Sequence, residues 1–155
     1  MNSKLNIYSD GGARGNPGPS AIAFIVLNKN GKILEKHSRY VGIRTNNQAE
    51  YEALISALEF ATEQNAEEVI CHIDSELVVK QLNEEYQVKD RKLRTLWLKV
   101  QGLKQNFKKI SFISVPRTDI HVREVDRLLN QTLNHISRLR VGLFSSVKNI
   151  FCLRF

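Results

Sequence analysis

The sequence predicts an α/β fold, with a mixed five-stranded sheet flanked by helices in the order βββαβααβα. Two observations carry this prediction. Three apolar runs separated by glycine-containing turns fill residues 4–41, which is typical of an antiparallel meander. After residue 45, helical periodicity alternates with two more apolar runs, as in parallel strand–helix–strand units. A chain of 155 residues is long enough to bury this core as one domain.

The three antiparallel strands are predicted at Lys4–Ser9, Ala21–Leu27 and Lys32–Val41. A loop with four glycines and two prolines follows Asp10. The turn NKNG at residues 28–31 joins the second and third strands, because Asn and Gly accept positive φ at little cost.

The later elements are predicted from apolar spacing. Thr45 or Asn46 caps the first helix, and a strand at Glu68–Asp74 suits a buried parallel position. The remaining elements are a helix that ends near Leu82, a helix within residues 89–107, a strand at Lys109–Pro116 and a helix at Glu124–Leu133.

The composition favours a polyanionic partner. Net charge is +7 and the pI is 9.6, and residues 135–155 contribute four cations and no acid. Apolar runs of about 18 residues are absent from the sequence, so we expect a cytoplasmic protein with no membrane partner. Two cysteines, Cys71 and Cys152, are too few for a thiolate zinc site, and either a mutual pair or simple burial accounts for them.

Four acidic residues lie at predicted ends of elements. Asp10 follows the first strand, Asp74 closes the fourth, Glu50 lies in the first turns of the first long helix and Asp126 lies near the start of the last. Singly, each has a structural explanation as a turn, cap or helix-dipole residue. If the first and fourth strands are neighbours, the four carboxylates share one rim and repel each other, so a cation is expected between them. Oxygen-only ligation is what Mg²⁺ prefers.

Four segments resemble the sequence blocks of ribonuclease H, type 1. They are IYSDGGARGNPGPSA, TNNQAEYEALISAL, IDSELVVKQL and EVDRLLNQTLN, in that order and at fitting separations. The resemblance runs from about Leu5 to Asn134 and is to the short form without a basic handle insertion. It implies a ribonuclease H-like catalytic domain over residues 1–134, followed by a basic, apolar tail at 135–155.

The resemblance implies endonucleolytic cleavage of the RNA strand of RNA–DNA hybrids by two Mg²⁺ ions, with Mn²⁺ as a substitute. The implied catalytic and metal-ligating residues are Asp10, Glu50, Asp74 and Asp126. Asp10 is the candidate to bridge both ions, Asp74 and Asp126 each complete one ion's shell, and Glu50 ligates one ion and orients a water. Such ions activate water and stabilise the leaving oxygen, leaving 5′-phosphate and 3′-hydroxyl ends.

Amide side chains that donate to and accept from 2′-hydroxyls would separate RNA from DNA. The resemblance implies that Arg44 and Thr45 hold a DNA-strand phosphate. For Asn46, Asn47 and Gln48, capping of the first helix is the structural alternative to contact with substrate. The implied substrate-binding residues are Gly11, Asn16, Arg44, Thr45, Asn46, Asn47, Gln48 and Ser75.

The segment VPRTDIHVREVD is longer than the family's usual loop, and Val125 stands where Ala is common. Arg117 and His121 are its polar candidates. His121 is a candidate proton shuttle or product-release residue, because the unperturbed pKa of histidine is about 6.5. A solvated loop histidine is the alternative.

The tail, residues 135–155, lies beyond the resemblance. Ile136, Leu139, Leu143, Val147 and Ile150 recur at helical spacing, so we expect the tail to continue the last helix. We also expect it to dock on its own domain or on a second copy and to add duplex affinity. A strand at IFCLRF and a disordered extension are the alternatives.

Two other functions stay open on the sequence. One is a non-catalytic module on the same fold that binds hybrids or duplexes, which the full set of four acids disfavours. The other is a related nuclease acting on DNA, which TNNQAE disfavours.

Overall fold

A computed structural model describes residues 4–151 of the chain, with side chains described as far as residue 143. The elements follow the predicted order βββαβααβα. Their bounds are β1 (Lys4–Ala13), β2 (Gly18–Asn28), β3 (Ile33–Arg44), α1 (Asn46–Glu63), β4 (Glu68–Ile73), α2 (Glu76–Leu82), α3 (Arg91–Lys104), β5 (Lys109–Ser114) and α4 (Ile120–Phe151).

The sheet has the strand order β3-β2-β1-β4-β5. β1 pairs antiparallel with β2 and parallel with β4, so it is the central strand. β5 pairs parallel with β4, and β3 pairs antiparallel with β2. The mixed sheet predicted from the sequence is therefore confirmed, and it brings the strand before Asp74 next to the strand that contains Asp10.

Apolar side chains fill both faces of the sheet. Helices α1, α2 and α3 pack on one face, where Phe24 and Val26 of β2 join the larger core. Helix α4 packs on the other face, where Ala23 and Ile25 contact a smaller core that includes Leu129. The alternation along β2 follows from the two-residue period of a strand, and the continuous apolar run follows from helices covering both faces.

The strand β1 is longer than predicted and continues through Asp10 to Ala13. The prediction of a loop directly after Asp10 was wrong, because Asp10, Gly11 and Gly12 pair with residues 21–23 of β2. Pairing with the neighbouring strand therefore overrides the low strand propensity of glycine. Asp10 thus extends from a paired strand and not from a strand end.

The last helix is also longer than predicted at both ends. Its start moves from Glu124 to Ile120 because the Asp119 carboxylate accepts from the backbone N–H groups of His121 and Val122, at 2.8 and 3.1 Å. His121 is therefore in a helical turn and not in a loop. The backbone continues as one helix to Phe151, so the first two residues of the predicted strand IFCLRF are helical and its last four, residues 152–155, lie outside the described residues.

The part of α4 at residues 135–143, the last whose side chains are described, is mostly exposed. Ile136 is half-buried, and Arg140 donates to the Tyr40 hydroxyl at 3.0 Å. Leu139 and Leu143 are 52% and 68% exposed, so the expected docking of the tail on its own domain fails at these two positions.

Two further expectations concern membranes and cysteines. Within residues 4–151, no helix combines the length and the apolar character that crossing a membrane requires. Cys71 is buried on β4, and burial raises the pKa of its thiol. Cys152 lies outside the described residues, so pairing between the two stays untested.

Candidate active site

Three of the four predicted acids meet at one point. Oxygen atoms of Asp10, Glu50 and Asp74 all lie within 4.8 Å of one another. In the parallel ladder, Tyr8 pairs with His72, and Asp10 and Asp74 each follow two residues later on the same side of their strand. The carboxylates line a cavity of about 570 Å³, whose other walls are Gly11, Gly12, Asn46, Asn47, Ser75, Arg117, Val122, Arg123, Asp126 and Leu129.

Glu50 reaches this point because α1 crosses β1 at a glycine. A Cβ atom on Gly11 would lie 2.1 Å from the backbone carbon and oxygen of Ala49, which is far inside contact distance. Only glycine allows this close approach, and the residue after Ala49 is Glu50. Gly11 therefore acts structurally by bringing the Glu50 carboxyl to Asp10.

The start of α1 is fixed by a capping box. The Thr45 hydroxyl accepts from the Gln48 N–H at 3.2 Å, and the Gln48 side-chain oxygen accepts from the Thr45 N–H at 2.9 Å. Thr45 is thus the cap, one of the two residues predicted for it. The box holds the helix that carries both Glu50 and the predicted amide contacts.

Asn16 and Asn46 link the glycine-rich turn to this helix. The Asn46 side-chain oxygen accepts from the Ala13 N–H at 2.8 Å, and the Asn16 side-chain oxygen accepts from the Asn46 N–H at 3.0 Å. Both side chains use their oxygens within the protein, which leaves their NH₂ groups as donors toward a ligand. Asn47 faces the acidic cavity and also lines an adjoining groove of about 340 Å³.

The carboxylates perturb one another strongly. Burial, together with the charges of Asp74 and Asp126, raises the pKa of Asp10 to about 6. Burial and the Asp10 charge raise the pKa of Glu50 well above its ordinary value. Burial also raises the pKa of Asp74, and the Arg117 guanidinium partly offsets this rise. Without a cation, the pair of Asp10 and Glu50 therefore binds a proton more readily than two separate carboxylates would.

These residues fit a divalent cation. The second oxygen of Glu50 is buried and has no hydrogen-bond partner among the described residues. Asp10 and Glu50 are each only 9% exposed, and among the described residues Arg117 forms an ion pair with Asp74 and not with either of them. Burying such carboxylates in their ionised form is unfavourable unless a cation binds them. The three clustered carboxylates supply oxygen ligands, which Mg²⁺ and Mn²⁺ prefer.

Asp126 and Arg117 lie further out. Asp126 is exposed and lines the same cavity from α4, but it is not part of the close cluster. Nε of Arg117 lies 3.5 Å from Asp74, and the Arg117 side chain is 90% exposed, so this ion pair contributes little stability.

Arg123 also lines the cavity and was not predicted. Its position three residues before Asp126 is the signal that was available, because such residues share a helix face.

The other predicted substrate residues are partly engaged within the protein. Nε of Arg44 donates to Glu52 at 2.6 Å, and Ser75 caps α2 by accepting from the Val78 N–H at 3.4 Å. Ser75 nevertheless lines the acidic cavity. His121 packs on the Tyr8 ring and is not among the residues that line the cavity.

The chain is similar in sequence and in fold to known proteins. A family model described as "Reverse transcriptase-like" matches residues 8–132. A ribonuclease HI of Halobacterium salinarum is 36% identical over 131 residues, which are 84% of this chain and 65% of that protein. A crystal structure of RNase H1 from this species has a TM-score of 0.81 and covers 85% of this chain and 98% of the solved one. The chain belongs to the family that this model describes and is a ribonuclease H-like domain.

Two other structures resemble this ribonuclease H-like domain. The N-terminal RNase H domain of Rv2228c from Mycobacterium tuberculosis is 34% identical, with a TM-score of 0.83 over 89% of this chain and 99% of the other. LC11-RNase H1, solved in complex with an RNA/DNA hybrid, is 37% identical, with a TM-score of 0.79 over 85% and 98%. The domain spans 65% of the length of the halobacterial relative and 36% of full-length Rv2228c.

Proposed function

We propose that this domain hydrolyses the RNA strand of RNA–DNA hybrids with two divalent ions, and that Mg²⁺ is the natural metal and Mn²⁺ a substitute. The observation that carries the proposal is the close cluster of Asp10, Glu50 and Asp74 in the same cavity as the amide groups of Asn46 and Asn47. The hybrid complex of LC11-RNase H1, at 37% identity, supports the substrate class.

The acids have distinct roles in this proposal. Asp10 is the central carboxylate, and we assign it to both ions. Asp74 and Asp126 would each complete one ion's set of ligands, and Glu50 would bind one ion and orient a water near the ribose 2′-hydroxyl. When bound, the ions supply an activated water and stabilise the leaving 3′-oxygen, so the products carry 5′-phosphate and 3′-hydroxyl ends.

Selection of RNA rests on the amides at the start of α1. The oxygens of Asn16 and Asn46 already accept backbone N–H groups, so their NH₂ groups face the ligand as donors. A 2′-hydroxyl accepts such a bond and is absent from DNA. Asn47 and Gln48 extend this polar surface, and Gly11 and Ser75 border the scissile phosphate.

The DNA strand is assigned to the neighbouring groove beside α3. Arg44 and Gln48 line a groove of about 360 Å³ together with Lys92. In this proposal Thr45 donates its hydroxyl to a phosphate and Arg44 exchanges part of its contact with Glu52 for that phosphate. Arg117 keeps Asp74 ionised from the solvent side and contributes a positive charge beside the RNA strand.

A substrate panel tests the proposal. Purified protein is incubated with labelled hybrid, double-stranded RNA or duplex DNA, each with Mg²⁺ or with EDTA. We expect RNA-strand cleavage of the hybrid with Mg²⁺ and none with EDTA. Binding without cleavage would support the non-catalytic alternative, and preferential cutting of duplex DNA would support the DNA nuclease.

Asn46→Ala tests the basis of selection. The variant removes a donor to the 2′-hydroxyl, so we expect its affinity for hybrid to fall more than its affinity for duplex DNA, by about three- to tenfold. Binding is measured by fluorescence anisotropy in Ca²⁺ to prevent cleavage. An equal loss for both duplexes would mean that Asn46 only ties the turn at Ala13 to the helix.

A further inference from the structure

Three aromatic rings from β1, β4 and α4 pack on one another. We call Tyr8, His72 and His121 the ring stack. The Tyr8 and His72 rings lie parallel, with centroids 4.2 Å apart and planes at 5°. The His121 ring lies 4.7 Å from the Tyr8 ring and is tilted by 48°. Tyr8 is therefore the shared member, and it contacts one ring from β4 and one from α4.

Each ring belongs to an element that carries one of the acids. Tyr8 precedes Asp10 by two residues on β1, and His72 on β4 precedes Asp74, the residue directly after that strand, by two residues. Both pairs lie on one face of the sheet, because side chains of a strand repeat every two residues. His121 is in the first turn of α4, about one and a half turns before Asp126.

The stack connects α4 to β4 through Tyr8 of β1. The small core under α4 contains β2 residues and Tyr8 of β1, and no β4 residue belongs to it. The His72 ring, on β4, stacks parallel to the Tyr8 ring and so connects β4 to this core.

Two further contacts involve His72 and His121, the residues on either side of Tyr8 in the stack. The Asn6 side-chain oxygen lies 3.0 Å from Nε2 of His72, and the Asp119 carboxylate accepts from the backbone N–H of His121 at 2.8 Å. The His72 ring and the His121 backbone are thus each tied to a neighbouring residue, on two different elements.

We propose that the ring stack sets the distances among Asp10, Asp74 and Asp126, and that His121 is a positioning residue for metal binding. His121 acts through the packing of its ring on Tyr8, and its proton is not transferred in the reaction. Its place outside the cavity lining agrees with this role. The inference rests on the proposed function, because it assumes that the acids bind divalent ions.

The test measures Mn²⁺ binding to the protein without nucleic acid, by calorimetry or by electron paramagnetic resonance. His121→Ala removes one aromatic contact, so we expect its Kd for Mn²⁺ to rise about two- to tenfold. His121→Phe keeps a ring that packs on Tyr8, so we expect a Kd close to that of the wild type.

Leu133→Val is the matched control. Leu133 packs in the same core under α4 and is 4% exposed, but it lies seven residues beyond Asp126. We expect this variant to lower the melting temperature at least as much as His121→Ala without changing the Kd for Mn²⁺.

Four results would overturn the inference. A wild-type Kd in His121→Ala would exclude positioning, and an equal rise in Leu133→Val would show only general loosening of α4. Loss of hybrid cleavage in His121→Phe with a normal Kd for Mn²⁺ would support the proton shuttle instead. A wild-type protein that binds no Mn²⁺ would overturn the proposed metal site itself, which is a distinguishable failure.

Discussion

Replacing Asp10 with asparagine should stabilise the metal-free protein while removing its activity. Asp10 is 9% exposed and faces Glu50 and Asp74 within 4.8 Å, so the fold confines negative charge that the unfolded chain would separate. Asparagine has nearly the same volume and no charge. The substitution therefore relieves repulsion without opening a cavity.

The magnitude follows from the raised pKa of Asp10. A rise from 3.8 to about 6 corresponds to about 3 kcal/mol of destabilisation at pH 7. Glu50 shares the proton, so we expect Asp10→Asn to recover about 1–3 kcal/mol. For a chain of 155 residues this raises the melting temperature by roughly 2–10 °C.

The sign of the pH dependence follows from the same shift. The folded state binds more protons than the unfolded state between about pH 4 and pH 6, so the wild type loses stability as the pH rises through this window. The gain from Asp10→Asn should therefore be small at pH 4 and full at pH 7.

The assay is thermal unfolding in EDTA at pH 4, 5, 6 and 7, followed by circular dichroism. Glu63→Gln, at an exposed acid near the end of α1, is the control and should change little. A lower melting temperature for Asp10→Asn at pH 7, or a gain that does not depend on pH, would refute the reasoning.

Three further predictions concern the helix crossing, the metal and the tail. Gly11→Ala should destabilise the fold by about 1–3 kcal/mol or more and abolish cleavage, because its Cβ would collide with Ala49. The control is Gly102→Ala, whose Cβ meets no atom within 4 Å and which should be tolerated, and unfolding and cleavage assays compare the two variants. A fixed concentration of Mg²⁺, set at 100 times its Kd at pH 8, should stabilise the wild type by about 2.7 kcal/mol at pH 8 and by less at pH 5, since protons compete with the ion for the carboxylates. A thermal shift independent of pH would count against this. Truncation after Asn134 should reduce self-association and weaken the salt dependence of hybrid binding, because it removes four cations; an unchanged molecular mass and an unchanged salt slope would leave the tail without these roles.

The acids and the helix cap could be predicted because each depends on local sequence. Thr45 and Gln48 are three residues apart, which is the spacing of a capping box. Asp10 and Asp74 follow predicted strands and Glu50 lies in the first turns of a predicted helix, and they share one rim if the first and fourth strands are neighbours, as they are. Local pattern and global topology agree at these positions, so the prediction of their proximity is confirmed.

Other features depend on contacts that sequence spacing does not encode. The role of Gly11 arises from α1 crossing β1 at one backbone position, and a glycine in sequence indicates a loop as readily as a crossing. The last helix begins at Ile120 and not at the predicted Glu124 because Asp119 caps it, so His121 belongs to the helix and not to the predicted loop. The link from Asn46 to Ala13 spans 33 positions and could not be read from either segment alone.

The most direct test of the proposed function is single-turnover cleavage of a hybrid with a labelled RNA strand, by wild-type protein and Asp10→Asn. Affinity for the same hybrid is measured alongside by anisotropy. We expect the wild type to cut the RNA strand only when Mg²⁺ or Mn²⁺ is present, and Asp10→Asn to bind the hybrid with similar affinity and not cut it. Cleavage that persists in EDTA, or cleavage by Asp10→Asn at the wild-type rate, would contradict a metal-dependent nuclease centred on Asp10.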